Sequence, residues 1–113
     1  MSIGRLLNRA IKNGSSSDGQ LLLTVNSGGT SVYLGGRLLI QVRDGTVIAF
    51  QTNNNRECKL IQIVLTHLGL EERYTMIPGT TPYLAEYENG ITKSVLRPVD
   101  LLRRMSDGKT DHQ

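Results

Sequence analysis

Apolar residues recur at helical spacing in the first fourteen positions of the chain. Five of them occupy positions i, i+3, i+4, i+7 and i+8 of one apolar stripe: Ile3, Leu6, Leu7, Ala10 and Ile11. Ser2 suits the residue that caps the start of a helix, and Gly14 suits the left-handed residue that ends one. The pattern predicts an amphipathic helix over residues 1–14.

The polar side of this helix is basic. Arg5, Arg9 and Lys12 are spaced i, i+4, i+7, and no acidic residue accompanies them. The chain has 13 Lys and Arg against 10 Asp and Glu, a net charge of +3. These three side chains account for the whole excess, so the basic character is local. We expect them to contact an acidic surface of a partner protein.

The pattern then changes from helical to strand-like. Residues 15–19 are polar and are predicted to be a flexible linker. Four predicted strands follow, "QLLLTV", "TSVYL", "RLLIQVR" and "TVIAFQT". Gly35-Gly36 and Asp44-Gly45 lie between strands and suit two-residue type I′ turns. The sequence therefore predicts an antiparallel β-meander of about four strands.

Both faces of this predicted meander are apolar. Regular registers at the turns place Val32 opposite Leu39, and Leu39 opposite Phe50. The other face then carries five large apolar side chains: Leu22, Leu38, Ile40, Val42 and Val47. A sheet with one wet face would alternate apolar with polar residues, and an uncovered apolar face marks an interface. We therefore expect self-association, as a homodimer or a higher symmetric oligomer.

The second half of the chain predicts a helix, a hairpin and a short closing helix. Asn54 and Glu57 form a start that resembles a capping box, and Gly69 suits the end of this central helix. "YLAEYENGITKSVL" predicts a hairpin that turns at Asn89-Gly90 and places Glu86 opposite Lys93. The expected fold class is α+β, as a single domain over residues 1–105 with a C-terminal helix and a disordered tail over residues 106–113.

One loop offers a candidate ligand site. It follows Phe50 and runs from a strand into the central helix, with the residues Thr52, Asn53, Asn54, Asn55 and Arg56. Its amides and asparagines suit a small anion or polar ligand, whereas the simpler interpretation is a helix cap. The glycine pairs elsewhere join strand to strand, which is not the arrangement of a phosphate-binding loop.

The residues of common catalytic and metal sites are sparse. Cys58 is the single cysteine, so no disulfide within the chain is possible and a reducing compartment is expected. His67 and His112 have no metal-ligand spacing with Cys58. The sequence thus predicts no metal, no cofactor and no enzyme activity.

Nucleic acid is a possible partner on charge alone. Arg97, Arg103 and Arg104 form a second basic group that could contact phosphates. The chain has no Trp, one Phe and four Tyr, which is a poor supply for stacking on bases. No apolar run is long enough for a membrane span and no secretory signal is evident, so a cytoplasmic location is expected.

These patterns favour a non-catalytic binding module. We expect a small accessory, regulatory or inhibitor protein that acts through protein–protein contacts and self-association. In size it is similar to small inhibitors encoded by phages and mobile elements, and this analogy concerns size alone. The alternatives are a regulator that binds the phosphate backbone of nucleic acid, and a small-ligand binder that uses the loop after Phe50.

Overall fold

A computed structural model describes residues 2–98 of the chain. In this part the elements are α1 (Ile3–Asn13), β1 (Ser15–Asp18), β2 (Leu21–Asn26), β3 (Gly29–Leu34), β4 (Arg37–Arg43), β5 (Thr46–Phe50), α2 (Asn55–His67), β6 (Tyr74–Ile77), β7 (Tyr83–Glu88) and β8 (Ile91–Leu96). The predicted α+β class with antiparallel sheet is confirmed. The predicted C-terminal helix, which extends beyond residue 98, and the tail over residues 106–113 lie outside the described residues.

The chain divides into two compact units, residues 1–51 and residues 52–113. The single domain expected over residues 1–105 stays a prediction. The first unit holds α1 and a five-stranded sheet in the order β1-β2-β3-β4-β5. The second holds α2 and a three-stranded sheet in the order β6-β7-β8. All neighbouring strands within each sheet are antiparallel.

The segment predicted as a flexible linker over residues 15–19 is instead mostly a strand. Ser15–Asp18 forms β1 and pairs with β2, with Ser16 opposite Leu23. The Ser16 hydroxyl donates a hydrogen bond to the Leu6 carbonyl, which joins β1 to α1. A short polar strand is suited to the edge of a sheet, where one side of its backbone faces no other strand. Composition alone therefore gives the wrong prediction for this segment, because serine-rich sequences occur in loops as well as in edge strands.

The first helix begins and ends where its caps predict. The Ser2 hydroxyl accepts a hydrogen bond from the Arg5 amide, and Gly14 ends the helix with φ of 89°. Four side chains of the stripe are buried: Ile3, Leu6, Leu7 and Ala10. Ile11 is 61% exposed, contrary to the predicted stripe. At 3.6 residues per turn Ile11 lies about 80° around the helix from Ile3, which places it at the border of the buried face.

Two β-bulges change the faces of the first sheet. Pairing passes from Tyr33–Leu38 to Val32–Ile40, so Leu39 is an extra residue on β4. Between β4 and β5, Gln41 pairs with Ala49 and Val42 with Val47, so Ile48 is an extra residue on β5. A shift of one residue moves every following side chain to the other face of a strand. The predicted pairing of Leu39 with both Val32 and Phe50 is therefore wrong, and Ile40 takes that place.

The bulges gather the large apolar side chains on one face, which we call the core face. It holds Leu23, Val32, Ile40, Val42, Val47 and Phe50, and all six are buried. The predicted uncovered face is thus wrong for Ile40, Val42 and Val47, which are buried within one chain. Leu22 and Leu38 do lie on the opposite, second face, with Tyr33 beside them. There Leu22 is 39% exposed, and Leu38 is partly exposed.

The second unit packs α2 close to β6. Its buried side chains include Ile61, Val64 and Leu65 from the helix, and Tyr74, Met76 and Leu84 from the strands. The Gln62 side-chain oxygen accepts a hydrogen bond of 2.7 Å from the Met76 amide. Between β7 and β8 a third bulge makes Lys93 the extra residue, so Glu86 lies opposite Ser94 and the predicted Glu86–Lys93 pairing is wrong.

Candidate functional site

The three basic residues of α1 form one exposed surface, which we call the basic face. Arg5, Arg9 and Lys12 are all exposed, on the side of the helix away from its buried stripe. Within residues 2–98, no acidic side chain lies within ion-pair distance of these three. The helix has no acidic residue in its first turn either. The positive charge of the basic face is therefore directed to solvent.

The underside of α1 holds the basic face in place. The buried side chains of the helix include Leu6, at 0% exposure, and Ala10, also at 0%. The Ser2 cap and the bond from Ser16 to the Leu6 carbonyl fix the helix at its start and in its middle. A surface carried by such a helix loses little conformational freedom on binding, apart from its own side chains.

The second predicted basic group is not assembled in the described residues. Arg97 is exposed just after β8, in the second unit. Arg103 and Arg104 lie outside the described residues. Of the two basic groups that the sequence predicts, the described residues contain all of one, the group on α1.

The loop after Phe50 forms a helix cap. The Asn54 side-chain oxygen accepts a 2.9 Å bond from the Glu57 amide, and Glu57 accepts a 3.0 Å bond from the Asn53 amide. The Thr52 hydroxyl donates to the Asn54 carbonyl. The Glu57 carboxylate thus occupies the helix start, the place that an anion would prefer. Asn55 and Arg56, the last two residues of the predicted ligand loop, are exposed in the first turn of α2.

A cleft that the sequence did not reveal lies beside this cap. Its volume is about 290 Å³, and it is lined by Asn55, Cys58, Lys59, Gln62, Met76 and Pro78. The four helical residues are spaced i, i+3, i+4, i+7, so they form one face of α2. This spacing is the one feature of the sequence that could have indicated the helical side of the cleft. Met76 of β6 and Pro78, just after that strand, complete the cleft and are brought there only by folding.

A buried polar cluster in the second sheet was also not predicted. Glu86 is 6% exposed and accepts hydrogen bonds from the Tyr74 hydroxyl at 3.3 Å and from Arg73 at 3.4 Å. The Arg73 guanidinium also lies 5.2 Å from the centre of the Tyr74 ring. A buried carboxylate is tolerated when it is paired and hydrogen-bonded in this way. We regard the cluster as structural.

The remaining candidate residues stand apart from one another. Cys58 is buried, with its sulfur 3.3 Å from the Thr52 hydroxyl, and His67 is exposed at the end of α2. His112 lies outside the described residues. Among residues 2–98, no three His, Cys, Asp or Glu side chains are grouped as a metal site would require.

The chain matches no family model, no curated protein and no solved structure, so its function is argued from its own residues. Within the described part of the chain, neither helix has the length and apolar character needed to cross a membrane.

Proposed function

We propose that the protein is a non-catalytic binding module, an accessory or inhibitor protein that holds an acidic surface of a partner protein against its basic face. The observation that carries this proposal is the exposure of Arg5, Arg9 and Lys12 together on one anchored helix. Charges of this kind act mainly on the rate of association, because they attract an opposite surface before contact.

An acidic protein is favoured over nucleic acid as the partner. The rest of the chain is neutral, so few further phosphate contacts are expected beyond the three on α1. Of the four tyrosines, Tyr74 is buried, and Tyr33, Tyr83 and Tyr87 are half-buried, which leaves no exposed stacking platform in the described residues. Three phosphate contacts would give a logarithmic salt slope of only about −2.7 on duplex DNA.

The test is removal of the basic face by the triple change Arg5→Gln, Arg9→Gln and Lys12→Gln. We expect the variant to fold normally, because exposed charges contribute little to stability. Its association with immobilised polyglutamate, used as the acidic probe, should slow by about tenfold or more at low salt. Surface plasmon resonance measures this rate, and duplex DNA on a second channel measures the competing hypothesis.

The control variant carries Arg43→Gln, Arg56→Gln and Lys93→Gln, three exposed positions outside α1 with the same total charge change. If both triple variants slow association equally, net charge rather than the basic face is responsible and the proposal fails. It also fails if the wild-type protein binds duplex DNA with a steep salt slope and leaves polyglutamate unbound.

Self-association remains part of the proposed function, on a smaller surface than the sequence suggests. Of the five residues predicted at the interface, Leu22 and Leu38 retain exposed area on the second face. Tyr33, directly opposite both Leu22 and Leu38 in the sheet, adds a half-buried aromatic ring. Aromatic and aliphatic side chains of this kind are the usual centre of a two-fold contact.

A further inference from the structure

The cleft of the second unit combines an apolar interior with a cationic border. Cys58 and Met76 are 2% and 5% exposed, so they line its interior, and exposed Pro78 extends the same apolar surface. Lys59 and Asn55 are exposed at its border. Small-molecule sites are generally apolar clefts with a few polar groups that fix the orientation of the ligand.

The hydrogen bonding of Gln62 adds a directed donor. Its side-chain oxygen accepts a hydrogen bond of 2.7 Å from the Met76 amide. The amide NH2 group of Gln62 is therefore the part that it can offer to a ligand. Donors from Gln62, Asn55 and Lys59 thus line the cleft together, and the nearby Glu57 carboxylate is bound by the Asn53 amide.

We propose that this cleft binds a small organic anion with a compact apolar body, such as an aryl or short alkyl carboxylate. The apolar body packs against Met76 and Pro78, and the carboxylate meets the Lys59 ammonium with the amides of Asn55 and Gln62. A volume of about 290 Å³ suits a single ring with a short acid chain. The proposal is independent of the basic face, which lies in the other unit.

The experiment uses three probes that share one apolar body: phenylbutyrate, phenylbutanamide and phenylbutylamine. Each is titrated into the isotope-labelled full chain while backbone amide chemical shifts are recorded. We expect saturable shifts over residues 55–62 and 76–78 with phenylbutyrate. The neutral amide should bind about fivefold more weakly, and the amine more weakly still, because the charge-assisted contact with Lys59 is lost or reversed.

Variants at Lys59 make the test specific. Lys59→Gln should weaken phenylbutyrate about fivefold. Lys59→Glu should reverse the order of the anionic and cationic probes. Lys93→Gln removes an exposed charge that lies outside the cleft, 3.8 Å from the Glu88 carboxylate, and should bind like the wild type. The amide spectrum of each variant shows directly whether it is folded.

Any of three results would overturn the proposal. The first is the absence of saturable shifts at residues 55–62 and 76–78 for every probe. The second is equal binding of all three probes, and the third is an unchanged order of the probes in Lys59→Glu. The triple variant of the basic face should keep the cleft affinity, and Lys59→Gln should keep polyglutamate binding, so failure of one proposal is distinguishable from failure of the other.

Discussion

At the scale of single residues, Gly29 has no room for a side chain. It begins β3 with φ of 120°, and a Cβ atom there would overlap the backbone carbonyl oxygen of Val42 in β4. Backbone atoms of a central strand cannot move aside as a flexible side chain does. The second glycine of "SGGT" is thus required by the close approach of two strands as well as by the turn.

We predict that Gly29→Ala lowers the free energy of unfolding by about 3 kcal/mol, through the clash and the positive φ together. Urea denaturation followed by circular dichroism measures the change. Gly36→Ala is the matched control, since Gly36 also has positive φ, of 81°, but its missing Cβ faces open space. Equal losses in the two variants would show that backbone strain alone matters and that the approach to Val42 does not.

The residue scale is also where sequence patterns reach their limit. Exposure of Arg5, Arg9 and Lys12 follows from helical periodicity, so the basic face could be predicted. The pairing of buried Glu86 with Tyr74 could not, because it depends on two strands meeting in a particular register. The same is true of Lys59, whose neighbours in the cleft include Met76 and Pro78.

At the scale of elements, the start of α2 depends on Asn54. Its side-chain oxygen accepts a hydrogen bond from the Glu57 amide, and the Glu57 carboxylate in return accepts one from the Asn53 amide. We predict that Asn54→Ala lowers the free energy of unfolding of the second unit by about 1 kcal/mol, because one early helix amide loses its partner. Urea denaturation followed by amide spectra of residues in α2 measures this loss.

The neighbouring change Asn53→Ala serves as control. The Asn53 side chain is exposed and makes no hydrogen bond within the described residues. We expect it to alter stability by less than about 0.5 kcal/mol. If Asn53→Ala costs as much as Asn54→Ala, the cap does not determine where the helix begins.

The elements show which sequence signals are local and which are not. The turn at Gly35-Gly36 has positive φ at both residues, and so do the turns at Asp44-Gly45 and Asn89-Gly90, as their sequences predict. The geometry of these turns depends on two adjacent residues and can therefore be predicted from the sequence. Leu39 and Ile48 are ordinary strand residues by composition, and nothing near them in the sequence marks a bulge. Whether each of them forms a bulge depends on which neighbouring side chains pack into the core of the first unit.

At the scale of the whole molecule, the bulges bear directly on oligomeric state. Burial of Ile40, Val42 and Val47 removes most of the surface on which the expected oligomer depended. The remaining second face has Leu22 as its most exposed large apolar residue. A contact centred on Leu22, Leu38 and Tyr33 would be small, and small interfaces are typical of weak, transient association.

We predict a concentration-dependent mass that approaches twice that of one chain, and its loss in Leu22→Lys, which places a charge at the centre of the contact. Gel filtration with light scattering measures both. Ile11→Lys is the control, because Ile11 is 61% exposed on α1 and lies outside the second face. A single-chain mass for the wild type throughout the micromolar range would remove self-association from the proposed function.

The bulge at Ile48 has a consequence for how the chain can vary in length. Without this residue, Ala49 would still pair with Gln41 and Val47 with Val42, and every side chain would keep its face. Loss of a residue at an ordinary strand position would instead exchange core and surface for the rest of the strand. The chain can therefore lose one amino acid at this position while the hydrophobic pattern on either side stays in place.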